Sequence, residues 1–192
     1  MTKIITLYGG PSTGKSTTAA AIFAELKQRQ VSTELVREYT KKWAWQGRKI
    51  SGYDEFLFVG KQIHEESTLF NRVDYIVTDK PLAMDIYYSQ RYASPTIAAG
   101  IRAAVTSFYA AAAEDGHQHL HVFLTRSKPY DGRGRYEDEA TARQMDGEIR
   151  DMLIALGYAY TVMPTTPEAV RDYCDVLLGH AANTPSTSTS SI

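Results

Sequence analysis

Residues 9–17 read GGPSTGKST and match the pattern G-x-x-x-x-G-K-[ST], with Gly9, Gly14, Lys15 and Ser16 in the defining positions. The context constrains the fold as much as the match does. KIITLY, just upstream, is a short apolar and β-branched run that reads as a buried strand. KSTTAAAIFAELKQRQ, which follows at once, is alanine-rich and has helical spacing at Ile22, Phe23 and Leu26. A glycine turn between a strand and a helix lets backbone N–H groups face a phosphate chain, and the helix start adds partial positive charge. The candidate ATP-binding set is therefore Gly9, Gly10, Pro11, Ser12, Thr13, Gly14, Lys15, Ser16 and Thr17. Lys15 is expected to reach the β- and γ-phosphates, and Ser16 to ligate Mg²⁺. The alternative is a glycine turn with no ligand, and the strand–turn–helix setting argues against it.

The same alternation continues along the chain. STELVRE, DYIVTD, HLHVFLT and YAYTVM read as four further strands. YDEFLFVGKQIHEESTLF reads as a helix with Phe56, Val59, Ile63 and Phe70 on one stripe. LAMDIYYSQRY, PTIAAGIRAAVTSFYAAAAEDG and PEAVRDYCDVLLGH are helical, as is 137–156, with Met145, Ile149, Met152, Leu153 and Leu156 on one face. Strands alternating with helices imply an α/β fold, a doubly wound five-stranded parallel sheet covered on both faces. Residues 1–180 are expected to form one domain. The Ser/Thr-rich tail 181–192 has too little apolar content to pack and is expected to be disordered.

Composition excludes several classes. A net charge of −1 over 192 residues is not that of a polycation, so any nucleic-acid contact must come from a local patch. The single cysteine, Cys174, forms no internal disulfide and lies in a helical stretch that does not suit a catalytic thiol. No apolar run reads as long enough to span a bilayer, and the N-terminus is too short and strand-like for a signal peptide. A cytoplasmic protein without membrane contact is expected.

A P-loop alone does not separate a kinase from a switch GTPase or a motor ATPase. A GTPase needs a base-reading N-K-x-D element, and the position after the fourth strand reads TRSK. An AAA-type machine is usually larger, with more sensor elements. A small kinase needs an arginine-bearing lid, and RSKPYDGRGRYED supplies one near 126–137, with Arg126, Lys128, Arg133 and Arg135 and possible hinges at Gly132 and Gly134. Arg133 and Arg135 are candidates for stabilising the charge of the transferring phosphoryl group, and Arg126 for holding the nucleotide. A solvated surface loop is the bland alternative. Asp79 ends the third strand, at the sheet edge where ligands bind in open α/β folds. It is a candidate catalytic acid and Mg²⁺ holder; a helix-cap aspartate is the alternative.

Together these segments resemble small P-loop kinases of the nicotinamide riboside kinase, deoxynucleoside kinase and thymidylate kinase type. The nearest likeness is to the bacterial nicotinamide riboside kinase domain and its phage-encoded relatives. It runs through ITLYGGPSTGKST, VREYT, IVTDKPLAMDIYYSQRY and YDGRGR. The resemblance implies strand order 2-3-1-4-5 and places the adenine near MPTTPEAV. It also implies that Glu38, after the second strand, is the base, with Trp43 shortly beyond it. The sequence departs from the deoxynucleoside kinases at Asp79-Lys80, where they often carry an acid followed by arginine, and in the basic character beyond Trp43. Which of Glu38 and Asp79 is the base stays open.

VREYTKKWAWQGRK, residues 36–49, holds Glu38 among Arg37, Lys41, Lys42, Arg48 and Lys49, with both tryptophans, Trp43 and Trp45. Four nearby cations cannot all be buried, and rings interleaved with basic residues suit stacking on a base beside a phosphate backbone. At a spacing of two, however, the tryptophans lie on different sides of a helix, and one is expected to be packing. Arg37, Lys41, Lys42, Trp43, Lys80 and Tyr88 form the candidate acceptor set. Some phage relatives phosphorylate 5-hydroxymethyluracil already built into DNA, and that acceptor is the sharpest expectation. A free nucleoside or nucleotide is the runner-up, and a non-catalytic nucleotide switch the rival from another class. The expected partner is a nucleotide-type acceptor, DNA with a modified pyrimidine among the candidates; oligomeric state is left open. His117, His119 and His121 alternate, which permits a metal site but better fits a strand entry. Tyr87, Tyr88 and Tyr92 have helical spacing and read mainly as core.

Overall fold

The computed structural model describes residues 1–133 and 137–179. Five parallel strands, β1 (Lys3–Tyr8), β2 (Thr33–Val36), β3 (Tyr75–Thr78), β4 (Gln118–Thr125) and β5 (Tyr160–Pro164), run in the order β2-β3-β1-β4-β5. Among the described residues seven helices connect and cover them: α1 (Lys15–Gln28), α2 (Lys41–Trp45), α3 (Asp54–Ser67), α4 (Ala83–Tyr92), α5 (Pro95–Glu114), α6 (Glu139–Ala155) and α7 (Pro167–Leu177). The expected sheet, its order and its two-sided cover are all present. The anticipated tail 181–192 lies outside the described residues.

β1 is apolar on both faces because both are buried. Ile5 and Leu7 join Ala19, Ile22 and Leu26 of α1 and Val170 and Cys174 of α7 in one core. Tyr8 joins Leu82, Ile86, Ile101, Val105, Met145 and Ile149 in the other, under α4, α5 and α6. Each fully buried Ile or Leu contributes roughly 1.5–3 kcal/mol. Helix starts follow local chemistry. Ser94 Oγ accepts from the Ile97 N–H at 3.3 Å ahead of Pro95, and Thr166 Oγ1 accepts from the Ala169 N–H at 3.2 Å ahead of Pro167. Asp138 Oδ1 accepts from the Thr141 N–H at 2.8 Å, so α6 starts at Glu139, two residues later than expected.

Three readings of packing are corrected. The buried stripe of α3 is Glu55, Phe58, Val59, Gln62 and Glu66, and Phe56 points outward. Three of those five are polar, which hid the stripe from a hydrophobicity reading. Phe70 lies beyond the end of α3 and stacks on His117, with ring centroids 4.0 Å apart. By length and composition α5 is apolar enough to cross a bilayer, contrary to the sequence reading. Its face of Ala98, Ile101, Val105, Tyr109 and Ala112 is buried in the fold, and much of the rest is alanine.

Register sets up the site. Thr6 of β1 and Val36 of β2 both pair with Thr78 of β3. The loops leaving these three strands therefore carry residues 9–14, Glu38 and Asp79 to one edge of the sheet.

Candidate functional site

The P-loop leaves β1 through Gly9 at φ +143° and enters α1 through Gly14 at φ +98°. A Cβ at Gly9 would lie 2.7 Å from Thr13 Oγ1, so glycine is required there. Gly14 gives no side-chain cap and the first turn of α1 carries no acid, which keeps that helix start suited to an anion. Lys15 Nζ donates to the Gly9 carbonyl at 2.6 Å and the Gly10 carbonyl at 3.0 Å, folded back over the loop. A cradle of about 100 Å³ lies over this turn, lined by residues 12–17 with Glu38 and Lys41. Lys41 Nζ donates to Ser16 Oγ at 3.5 Å.

A larger cavity of about 550 Å³ adjoins it. Lys15, Glu38 and Lys41 line both spaces. The larger cavity has apolar and aromatic surface from Phe58, Met84, Tyr88, Tyr92 and Ile50, and acids from Glu38, Glu55, Asp79, Asp85 and Glu137. Its volume suits a small organic ligand.

Glu38 stands at the junction. Its Oε1 accepts from Thr40 Oγ1 at 3.0 Å, and its own N–H donates to Asp79 Oδ1 at 2.8 Å. The two carboxylates expected to compete for one role therefore hold different positions. Asp79 is buried and braces the Glu38 loop, lining the larger cavity but not the cradle.

The pocket floor holds acids that the sequence reading missed. Lys80 Nζ lies 2.5 Å from Asp85 Oδ1, and both side chains are buried. The second oxygen of Asp85 has no hydrogen-bond partner among the described residues. Burial pushes the Asp85 carboxyl upward, against the pull of Lys80. Burial and Asp85 raise the Glu55 carboxyl to about 7, again opposed by Lys80. Burial also raises the Tyr88 hydroxyl well above the ordinary range, with the charge of Glu38 adding to the effect. Glu55 and Asp85 sat on helices whose patterns gave no sign that a cavity would open against them.

Several expected site residues prove to be otherwise engaged. Trp43 is only 6% exposed, meets Phe58 edge-on at 5.1 Å between centroids, and is capped by the Arg48 guanidinium 3.7 Å from its ring. It is packing and does not line the cavity, because α2 turns it inward; Trp45, on the opposite side, is 66% exposed. Lys80 lines the cavity, but its ammonium is committed to Asp85. Arg37 and Lys42 are exposed and line neither space.

Arg126 does not face the cradle either. Its guanidinium donates to Asp146 Oδ2 at 2.5 Å, the Pro11 carbonyl at 2.8 Å and the Ala142 carbonyl at 2.8 Å. The Gly10 N–H, expected to meet phosphate, donates to Asp146 Oδ1 at 2.7 Å, and Pro11 has no N–H to give. Arg133 is exposed, paired through Nε and Nη2 with Asp131 at 3.0 and 2.9 Å. Arg135 and Gly134 lie outside the described residues.

The histidines belong to packing. His117 Nδ1 accepts from the Thr2 N–H at 3.0 Å, and His121 stacks on Tyr158 at 4.6 Å, its pKa lowered to about 4 by burial. Among the described residues no group of three or more His, Cys, Asp or Glu is placed to hold a metal. Burial raises the Cys174 thiol to about 11, which leaves it inert.

A profile for AAA domains, the AAA_28 family, matches residues 4–171. The chain belongs to that family. An AAA-type machine was expected to be larger, with more sensor elements, and the AAA_28 match, which includes the P-loop, is compatible with the small P-loop protein expected here. The comparison with curated proteins returns no match. Among solved structures, NadR in complex with NAD and AMP-PNP aligns with a TM-score of 0.69 at 14% identity, over 95% of this chain and 51% of that one. NadR in complex with NR aligns with a TM-score of 0.64 at 16% identity, over 85% and 43%. The chain thus spans about half the length of the NadR chains it matches, and at this identity the likeness is one of fold. What is shared is the fold, a P-loop leaving the first strand of a five-stranded parallel sheet.

Proposed function

We propose that the protein is an ATP-dependent kinase that moves the γ-phosphoryl group to a hydroxyl of a nucleoside- or nucleotide-type acceptor. One observation carries this reading: Glu38 forms part of the wall of both the phosphate cradle and the larger cavity. A carboxylate there is placed to take the proton from an acceptor hydroxyl as it meets the γ-phosphate, a contribution of roughly 10²–10⁴ in rate. Lys15 exchanges the Gly9 and Gly10 carbonyls for phosphate oxygens. Arg133, exposed on its loop, exchanges Asp131 for the transferring group. Mg²⁺ in such sites keeps several waters and phosphate oxygens and takes one or two protein oxygens. Ser16 Oγ lines the cradle and fits that need; Asp79, tied to the Glu38 backbone, is a second candidate. Mg²⁺ would supply charge neutralisation at the β- and γ-oxygens. The aromatic lining supports an acceptor with a planar ring, and the neighbours bound to AMP-PNP and to NR are consistent with the two ligands.

A hydroxymethylated pyrimidine within DNA is the second reading. Trp43, its expected stacking ring, is buried. In its favour, the segment 42–53 carries exposed Lys42, Trp45, Arg48, Lys49, Ile50 and Tyr53, and Lys49 and Ile50 line the cavity. The test is labelled ATP and Mg²⁺ with a panel of free nucleosides and nucleotides and with hydroxymethyluracil-containing DNA. Label on a free acceptor supports the first reading, and label on DNA alone the second. ATP hydrolysis without transfer to any acceptor would favour a nucleotide switch and overturn both.

A further inference from the structure

The first half of the P-loop is held from outside by a pair of residues that nucleotide chemistry does not require. Asp146 lies on α6 and Arg126 just beyond β4. Asp146 takes the Gly10 N–H, and Arg126 takes the Pro11 carbonyl. The two side chains meet each other through Nε–Oδ2 at 2.5 Å and Nη2–Oδ1 at 3.3 Å. Arg126 Nη2 also donates to the Ala142 carbonyl on α6, so the pair closes on itself. Both side chains are largely buried, at 11% and 21% exposure. The fit is close, because a Cβ on Gly10 would stand 2.5 Å from the Ala142 carbonyl and 2.9 Å from Asp146 Oδ1.

The consequence is an orientation. With the Gly10 N–H turned out to Asp146, the Gly9 carbonyl of the same peptide unit turns the opposite way, where it accepts from Lys15 Nζ, while the Gly10 carbonyl accepts from Lys15 Nζ and Thr13 Oγ1. All the main-chain polar groups of Gly10, and the one that Pro11 has, are thereby satisfied by protein. The phosphate-facing donors are left to residues 12–17, the stretch that lines the cradle. A peptide free to flip would present either a carbonyl or an N–H to the phosphates, and only one of these states is productive.

We propose that Arg126 and Asp146 are a positioning pair that locks the Gly10–Pro11 limb of the P-loop, so that the cradle is preformed for the β-phosphate. The inference rests on nucleotide binding by the P-loop but not on phosphoryl transfer. Preorganisation is worth most where small displacements matter, as they do for a phosphate held by main-chain donors.

The test measures ADP and AMP affinity by calorimetry on the full chain, wild type against Asp146→Ala, Asp146→Asn and Arg126→Lys. Asp146→Ala is expected to weaken ADP tenfold or more while changing AMP, which has no β-phosphate, less than twofold. Asp146→Asn keeps an oxygen for the Gly10 N–H and is expected to recover part of that loss. It is also the variant to use should the alanine form fail to fold. Arg126→Lys keeps the charge without the three-way geometry and is expected to behave like the alanine form. ADP affinity within twofold of wild type in a variant that melts cooperatively overturns the proposal, as does equal weakening of ADP and AMP. Wild type that binds neither nucleotide overturns the nucleotide reading itself, a result distinct from either of these.

Discussion

Replacing Glu38 by glutamine removes the ability to accept a proton and little else. The amide oxygen still accepts from Thr40 Oγ1, and the backbone N–H that donates to Asp79 Oδ1 is untouched. Glu38 is partly exposed, so folding stability should change by no more than about 0.5 kcal/mol. If Glu38 is the base, kcat should fall roughly 10²-fold or more, equivalent to about 2.7 kcal/mol of lost transition-state stabilisation. The KM for ATP should stay within about twofold, because the cradle donors are backbone groups of other residues. Steady-state ADP release, with the acceptor that the labelling screen identifies, measures both. Asp79→Asn is the necessary control. It keeps an oxygen for the Glu38 N–H, so Asp79 as a brace predicts a mild defect. A hundredfold loss in Asp79→Asn beside near-normal turnover in Glu38→Gln would refute the assignment and exchange the two roles.

Other outcomes follow from the same geometry. Lys15→Ala should abolish phosphoryl transfer yet leave the melting curve cooperative, since Lys15 contacts loop carbonyls and belongs to neither core; near-normal transfer would remove the P-loop from the chemistry. Trp43→Ala should cost about 3–5 kcal/mol in urea unfolding and Trp45→Ala no more than about 0.5, because only the first is buried; equal effects would contradict the assigned packing. Glu55 has a folded pKa of about 7 against an ordinary 4.5, so the native state holds its proton more tightly than the unfolded chain. Its contribution is fully present below about pH 4.5 and is lost as pH rises through about 7, by up to about 3 kcal/mol. Glu55→Gln should remove that part of the pH dependence of the urea midpoint between pH 5 and 8, and an unchanged slope would show that Glu55 ionises normally.

The resemblance named the strand order, and local pattern located most elements because their causes are local. A β-branched run buried on both faces reads as a parallel strand whatever lies beside it. Ser94-Pro95 and Thr166-Pro167 start helices with side-chain oxygens three residues from the N–H they accept. The P-loop was legible for the same reason, since glycines at positive φ and a helix start are properties of a nine-residue stretch. Glu38, just after β2, lies at the sheet edge where that position put it, lining both spaces.

The roles around that loop were decided elsewhere. Arg126 looked like a nucleotide ligand until its contacts with Asp146, 20 residues on, and Pro11, 115 residues back, were seen to use its donors. Asp79 read as a strand-end acid, and the fold gave one of its oxygens to the N–H of Glu38, 41 residues away, so that it also braces that loop. Trp43 looked like a stacking platform until α2 turned it against Phe58 and Arg48. Glu55 and Asp85 gave no sign at all, because an acid on a helix is by default a solvated face and only the packing of α3 against α4 made it a pocket wall. A side chain's type and local spacing say what it can do. Which partner satisfies it depends on which distant segment the fold brings within about 3 Å, the range of a hydrogen bond.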